Sequence, residues 1–144
     1  MRDPLVLLVE DDSDTREMYA TVLRCVGYRV LSAANGVAAL DAVKDARPDI
    51  VVTDLAMPVM DGFGLTRELR ADPATRSVPI IAVTGQGVPS TPRMALDAGC
   101  CSLYLKPFAP DALIDAVRSL LDACPRACSP ARAGNLCPAE SALQ

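Results

Sequence analysis

The chain has 144 residues, 51% of them apolar and 22% charged, with a formal net charge of −4. That length suits one ordinary domain burying roughly two-thirds of the surface its unfolded form exposes, and the charge leaves no overall basic footprint for nucleic acid. The absence of histidine excludes Ser-His-Asp and Cys-His hydrolases, His-liganded metalloenzymes, and any chain that supplies its own phosphohistidine.

Met1-Arg2-Asp3-Pro4 opens the chain without the long apolar stretch and small-residue cleavage site of a secretory signal. No apolar run approaches the roughly 20 residues of a membrane-spanning helix, so a soluble, cytoplasmic chain with no membrane contact is expected. Leu5 to Val9 is near-continuously apolar, as expected of a strand covered on both faces. Ser13 reads as the N-cap of a helix with Met18, Val22, Leu23 and Val26 at helical spacing, stopped by Gly27. Tyr28 to Ser32 is the second strand. Gly36 to Ala46 is the second helix, with Val37, Leu40 and Val43 on one face and Pro48 beyond its end. Ile50 to Thr53 form the third strand, which runs straight into Asp54.

Gly62 to Arg70 reads as the third helix and Val78 to Val83 as the fourth strand, the most β-branched run in the chain. A fourth helix is placed within Thr91 to Ala98, its start delayed by Pro89 and Pro92. Ser102 to Leu105 is the fifth strand. Asp111 to Ala123 is the fifth helix, with Leu113, Val117, Leu120 and Leu121 facing inward. Beyond it, residues 124–144 are rich in Ala, Pro, Ser and Cys and lack periodicity. The domain reading is therefore one domain over 1–123 and a flexible tail over 124–144. The six cysteines are expected as reduced thiols, with Cys100 and Cys101 as small packing residues.

Strands alternating with helices of this length imply parallel pairing through right-handed crossovers. The expected fold is α/β, a doubly wound five-stranded parallel sheet in the order 2-1-3-4-5 with five helices. Ligands of such sheets sit beyond the carboxyl ends of the strands, where the strand order reverses. The polar residues ending strands one, three, four and five should therefore share one site: Glu10 and Asp11, Asp54, Thr84 and Lys106. Three converging carboxylates repel one another, and a hard divalent cation with oxygen ligands, Mg²⁺ by preference, compensates them. Asp54 is the candidate nucleophile of aspartyl-phosphate chemistry. Lys106 is a second positive charge for a phosphoryl group, and Thr84 a hydroxyl donor to it.

Leu8-Val9-Glu10-Asp11-Asp12, the run from Val52 through Asp54 to Gly62, Ala82-Val83-Thr84-Gly85 and Lys106-Pro107-Phe108 together resemble the response-regulator receiver domains, the CheY-like superfamily with a flavodoxin-like fold. The resemblance covers about residues 4 to 123. It implies a two-component signalling module in which Glu10 and Asp11 form an acidic pair, Asp54 is the phosphoacceptor and the Ala56 carbonyl is a further metal ligand. It further implies Thr84 as a switch hydroxyl and Lys106 as the family's lysine, often before a cis peptide to Pro107. The implied partners are a histidine kinase or histidine phosphotransfer protein and a downstream protein target on the α4-β5-α5 face, with homodimerisation left open and no direct nucleic-acid contact. The module would be no enzyme beyond its own phosphoryl transfer and dephosphorylation.

The chain departs from the family pattern three residues before Lys106, where Leu103 replaces the usual aromatic. Tyr104 should face the opposite side of the sheet, because side chains alternate along a strand. A second hypothesis, a phosphatase on a similar sheet, wants an aspartate two residues after the nucleophile, and position 56 is alanine. A third is a phosphorylation-independent protein-interaction module on the same fold.

Overall fold

The computed structural model describes residues 3–57, 59–85, 91–106 and 109–123. Strands and helices alternate along them: β1 (Leu5–Val9), α1 (Ser13–Cys25), β2 (Arg29–Ala33), α2 (Gly36–Asp45), β3 (Ile50–Asp54), α3 (Gly62–Ala71), β4 (Ile80–Thr84), α4 (Thr91–Ala98), β5 (Ser102–Leu105) and α5 (Pro110–Ala123). The five strands form one sheet in the order β2-β1-β3-β4-β5, and every pairing is parallel. The expected architecture and strand order are both observed. Among the described residues, no helix is long and apolar enough to cross a membrane.

The period-two alternation of the strands divides the core into two layers. Val6 and Leu8 of β1, Ile50 and Val52 of β3, Ile81 and Val83 of β4, and Cys101 and Tyr104 pack with α1 and with Leu113, Ala116, Val117 and Leu120 of α5. Leu7, Val9, Val51, Ile80, Ala82 and Leu103 point the other way, onto Ala39 of α2, Leu65 and Leu69 of α3, and Ala95 of α4. Both faces of β1, β3 and β4 are covered, which explains why these strands read as apolar runs without alternation. Each fully buried Leu or Ile side chain contributes roughly 1.5–3 kcal/mol. Leu103 and Tyr104 lie in opposite layers, as the alternation predicted.

The element edges correct the sequence reading in detail. Asp12, not Ser13, caps α1: its carboxylate accepts from the Thr15 amide at 2.9 Å. The buried face of α1 is Tyr19, Ala20 and Leu23, whereas Met18 and Val26 are exposed. Met18 lies about 100° round the helix from Tyr19, and Val26 is the C-cap residue beyond the last turn. Val37 is likewise exposed, and the small Ala39 meets the sheet in its place. Leu121 is only partly buried at the margin of its layer. β4 begins two residues late, because Pro79 has no amide hydrogen to give a neighbour; its carbonyl still accepts from the Val51 amide at 2.9 Å. Cys101 is disulfide-bonded, against the expectation of six reduced thiols, while Cys25 and Cys100 are free. The tail over 124–144, Pro107 with its peptide bond, and Gln86 to Ser90 lie outside the described residues.

Candidate functional site

The strand register decides which side chains can meet. Val9 stands opposite Thr53, Asp54 opposite Val83, and Thr84 opposite Leu105, so the carboxyl ends of β1, β3, β4 and β5 finish nearly level. The residue that follows each strand, or ends it, therefore enters one shallow hollow. β2 lies on one side of β1 and β3 on the other, so the hollow sits at the point where the strand order reverses.

Glu10, Asp11 and Asp54 converge there, each offering a carboxylate oxygen within 4.8 Å of the others. Glu10 and Asp54 are buried and Asp11 is exposed. Lys106 reaches in from the end of β5, its Nζ donating to Glu10 Oε1 at 2.6 Å and to Asp54 Oδ2 at 3.2 Å. The backbone sets this reach, because the Lys106 amide donates to the Thr84 carbonyl at 2.8 Å. Asp54 Oδ1 accepts from the Ala56 amide at 3.1 Å, and Glu10 Oε2 accepts from the Asp12 amide at 3.1 Å. Each buried carboxylate thus has both oxygens engaged. Thr84 ends β4 and is buried.

Burial raises the pKa of Glu10 above that of an ordinary carboxyl, partly offset by the Lys106 hydrogen bond. Burial alone would weaken the charge on Lys106. The hydrogen bond to Glu10 and the charge of Asp54 outweigh it and hold the ammonium above its ordinary pKa. The hollow therefore holds a permanent cation facing three carboxylates. An excess of negative charge on oxygen donors at such close range suits a hard divalent cation and does not suit a soft one.

Two glycines let the loops approach. A Cβ on Gly62 would strike the Asp54 carbonyl and come within 2.9 Å of Leu55 Cα. One on Gly36 would lie 2.7 Å from Met60 Cγ. The loop between β3 and α3 is held close under Asp54 as a result.

All the residues expected at the site, Glu10, Asp11, Asp54, Ala56, Thr84 and Lys106, lie at this one sheet edge. Three neighbours went unremarked in the sequence. Arg16, on the first turn of α1, donates from Nη1 to the Glu10 carbonyl at 2.7 Å. Thr53 Oγ1 donates to the Asp54 carbonyl at 2.8 Å. Tyr19 is a buried phenol whose pKa is raised by burial, with the charges of Glu10, Asp54 and Lys106 acting on it. Only Arg16 had a usable signal, its place one turn into the helix that follows the acidic pair.

The family model described as the response regulator receiver domain matches residues 6–118. The chain belongs to that family, the receiver domains of two-component systems. Among curated relatives, it is 37% identical over 121 residues to a probable transcriptional regulator, ycf27, of Porphyridium aerugineum, covering 84% of this chain and 49% of that protein. It is 37% identical over 116 residues to the DNA-binding response regulator MtrA of Mycobacterium tuberculosis, covering 81% of this chain and 50% of that protein. The chain spans about half the length of these relatives. Among solved structures, the chemotaxis protein CheY4 of Vibrio cholerae is similar at TM-score 0.77 and 31% identity, over 81% of this chain and 97% of that one. The receiver domain of a sensor histidine kinase from Pseudomonas aeruginosa, described with a magnesium ion coordinated in its active site cleft, is similar at TM-score 0.76 and 34% identity, over 83% of this chain and 98% of that one.

Proposed function

We propose that the chain is a phosphorylation switch that accepts a phosphoryl group on Asp54. The observation that carries this is the convergence of three carboxylates and one lysine ammonium at the strand-order reversal. In the reaction, an Asp54 carboxylate oxygen attacks the phosphorus of a phosphohistidine. The phosphorus–nitrogen bond breaks, the imidazole leaves with the electron pair, and an acyl phosphate remains on Asp54. Lys106 keeps its charge and turns from carboxylate to phosphoryl oxygen, and Thr84 donates its hydroxyl to another. Their shift toward the phosphoryl group biases two conformations of the β4 and β5 ends.

Glu10, Asp11, Asp54 and the Ala56 carbonyl would hold Mg²⁺, which supplies charge neutralisation around the phosphoryl oxygens when bound. The oxygen-only donors and their spacing fit that ion, and the magnesium described for the Pseudomonas receiver supports the assignment. On this reading residues 1–123 are the receiver unit and 124–144 a tail. The phosphodonor is a histidine kinase or histidine phosphotransfer protein, and a downstream protein reads the α4-β5-α5 face. The chain works in the cytoplasm, with no membrane or direct nucleic-acid contact of its own and no turnover beyond its own phosphoryl group.

The test is intact mass after incubation with Mg²⁺ and a small-molecule phosphodonor. One phosphoryl adduct should form, and it should vanish in Asp54→Asn and with a chelator. A folded protein that takes no adduct would overturn the proposal in favour of a phosphorylation-independent interaction module.

A further inference from the structure

Arg16 is a basic residue beside the acidic hollow that the phosphoryl chemistry does not use. The Glu10 amide continues the β1 ladder, donating to the Ala33 carbonyl of β2 at 3.0 Å. β2 ends at that residue, and Asn35 turns away to cap α2, so the ladder offers the Glu10 carbonyl no next amide. Arg16 supplies the donor, its Nη1 lying 2.7 Å from the carbonyl oxygen. Glu10 is buried, and a carbonyl in such surroundings keeps a partner or costs free energy. The bond belongs to a closed bracket. The Arg16 amide donates to the Asp12 carbonyl at 2.9 Å, the Asp12 amide donates to Glu10 Oε2 at 3.1 Å, and the Asp12 carboxylate accepts from the amide and hydroxyl of Thr15. Between these ties lies the Glu10–Asp11 peptide, whose plane sets the direction in which the Asp11 side chain leaves the backbone. Asp11 is exposed, so packing does not place its carboxylate; the backbone does.

We propose that Arg16 is a positioning residue for the cation site: by holding the Glu10 carbonyl it fixes the Glu10–Asp11 peptide and keeps the Asp11 carboxylate within reach of those of Glu10 and Asp54. This rests on the reading of the acidic hollow as a divalent-cation site. The guanidinium has two effects there, and they differ in sign. As a positive charge it opposes the arrival of a second cation, as Lys106 does. As a hydrogen-bond donor it orients a ligand, and outer partners of that kind are worth roughly ten- to a hundredfold in metal affinity. Arg16 is partly exposed, so water screens its charge, whereas its bond is made to a buried residue. The orienting effect is the larger one. Replacing Arg16 with neutral Met therefore weakens the cation site, the opposite of what loss of a nearby positive charge does by itself.

The sign of the change decides between the two effects. The full chain, isotope-labelled and stripped of divalent cations, is titrated with Mg²⁺ and followed by its amide resonances, for wild type and for Arg16→Met. Hydrogen exchange of the same amides is then read in a chelator. The expected result is Mg²⁺ binding about tenfold weaker in Arg16→Met. The Asp12 amide should exchange faster in the variant, while the amides of Ile50 to Thr53 in β3 keep their wild-type rates. Equal or tighter binding in the variant, beside a wild type that does bind, overturns the positioning role and leaves the cation reading intact. Faster exchange throughout β3 overturns the role as well, because a general loosening of the sheet would then account for the lost affinity. A wild type that takes up no Mg²⁺ removes the cation reading itself, and the positioning role falls with it.

Discussion

Lys106 places its ammonium 2.6 Å from the Glu10 carboxylate, joining the ends of β5 and β1 across 96 residues of sequence. The same ammonium reaches Asp54 at 3.2 Å, so one lysine occupies lone pairs on two of the three carboxylates that a cation would use. It also adds like charge beside that cation. Replacing it with the similarly shaped, neutral Met should therefore tighten Mg²⁺ binding, by about tenfold for an interaction of roughly 1.4 kcal/mol in a partly screened site. Titration calorimetry of Lys106→Met against wild type measures this directly. An equal or weaker affinity in the variant would mean that the lysine supports the cation site and does not compete with it.

Glu10 gives a pH dependence of definite sign. Burial raises its folded pKa above the ordinary value of 4.5, so the folded chain holds a proton there that the unfolded chain has released. Its contribution to stability is present below 4.5 and is lost as pH rises through the folded pKa. Ionised Glu10 is consequently a cost at neutral pH when no divalent cation is present. Glu10→Gln, which imitates the protonated form, should unfold at higher urea than wild type at pH 7 in a chelator. The two should converge below pH 4.5. A variant that is less stable at pH 7 would show that the Lys106 ion pair outweighs desolvation.

The layers and the site differed in how well the sequence showed them. β1, β3 and β4 announced themselves as apolar runs because helices cover both their faces, and the parallel topology then forced Glu10, Asp11, Asp54 and Lys106 to one edge. The spacing alone could not give the hand-over of Lys106 between Glu10 and Asp54, which depends on the level strand ends and the amide of Lys106 bonding to Thr84. Helix faces were harder. In α1 the choice between Met18 and Tyr19 turns on a rotation of one residue, which tertiary packing decides. Arg16 offered only its place one turn into the helix after the acidic pair, since its bond is to the carbonyl of Glu10, a partner no side-chain pattern names. The Cys101 disulfide escaped because compartment-based reasoning about thiols carries no information on which sulfurs meet.

The loop beneath Asp54 contains a local misfit. Val59 is 82% exposed and has φ of 71°, a left-handed conformation that a β-branched residue adopts only at a cost. Glycine has no such penalty there, although it adds freedom to the unfolded chain. Val59→Gly should raise stability by about 1 kcal/mol in chemical denaturation. Gly62→Ala should do the reverse, by about 2–3 kcal/mol, since its Cβ would press on Asp54 and Leu55 backbone that has nowhere to go. If Val59→Gly is neutral or destabilising, the exposed valine must make up for its backbone strain in contacts of its own.

The two free thiols in the described structure should differ widely in reactivity. Cys25 is exposed, whereas burial pushes the Cys100 thiol up to about 11, despite the Thr66 hydroxyl and the Arg70 charge pulling it down. Reaction needs the thiolate, so at pH 8 Cys100 is held in its inert form and is inaccessible as well. Iodoacetamide should modify Cys25 on tryptic fragment 25–29 at least a hundredfold faster than Cys100 on 94–118. Because the folded pKa of Cys100 lies above the ordinary thiol value of 9.0, its stabilising contribution persists below pH 9 and is lost as pH rises towards 11. Alkylation of Cys100 should therefore accelerate with alkali by way of transient unfolding, and urea should abolish the difference between the two sites. Equal labelling of Cys25 and Cys100 at pH 8 in the native protein would show that the layer between α3, α4 and β5 opens far more readily than its packing implies.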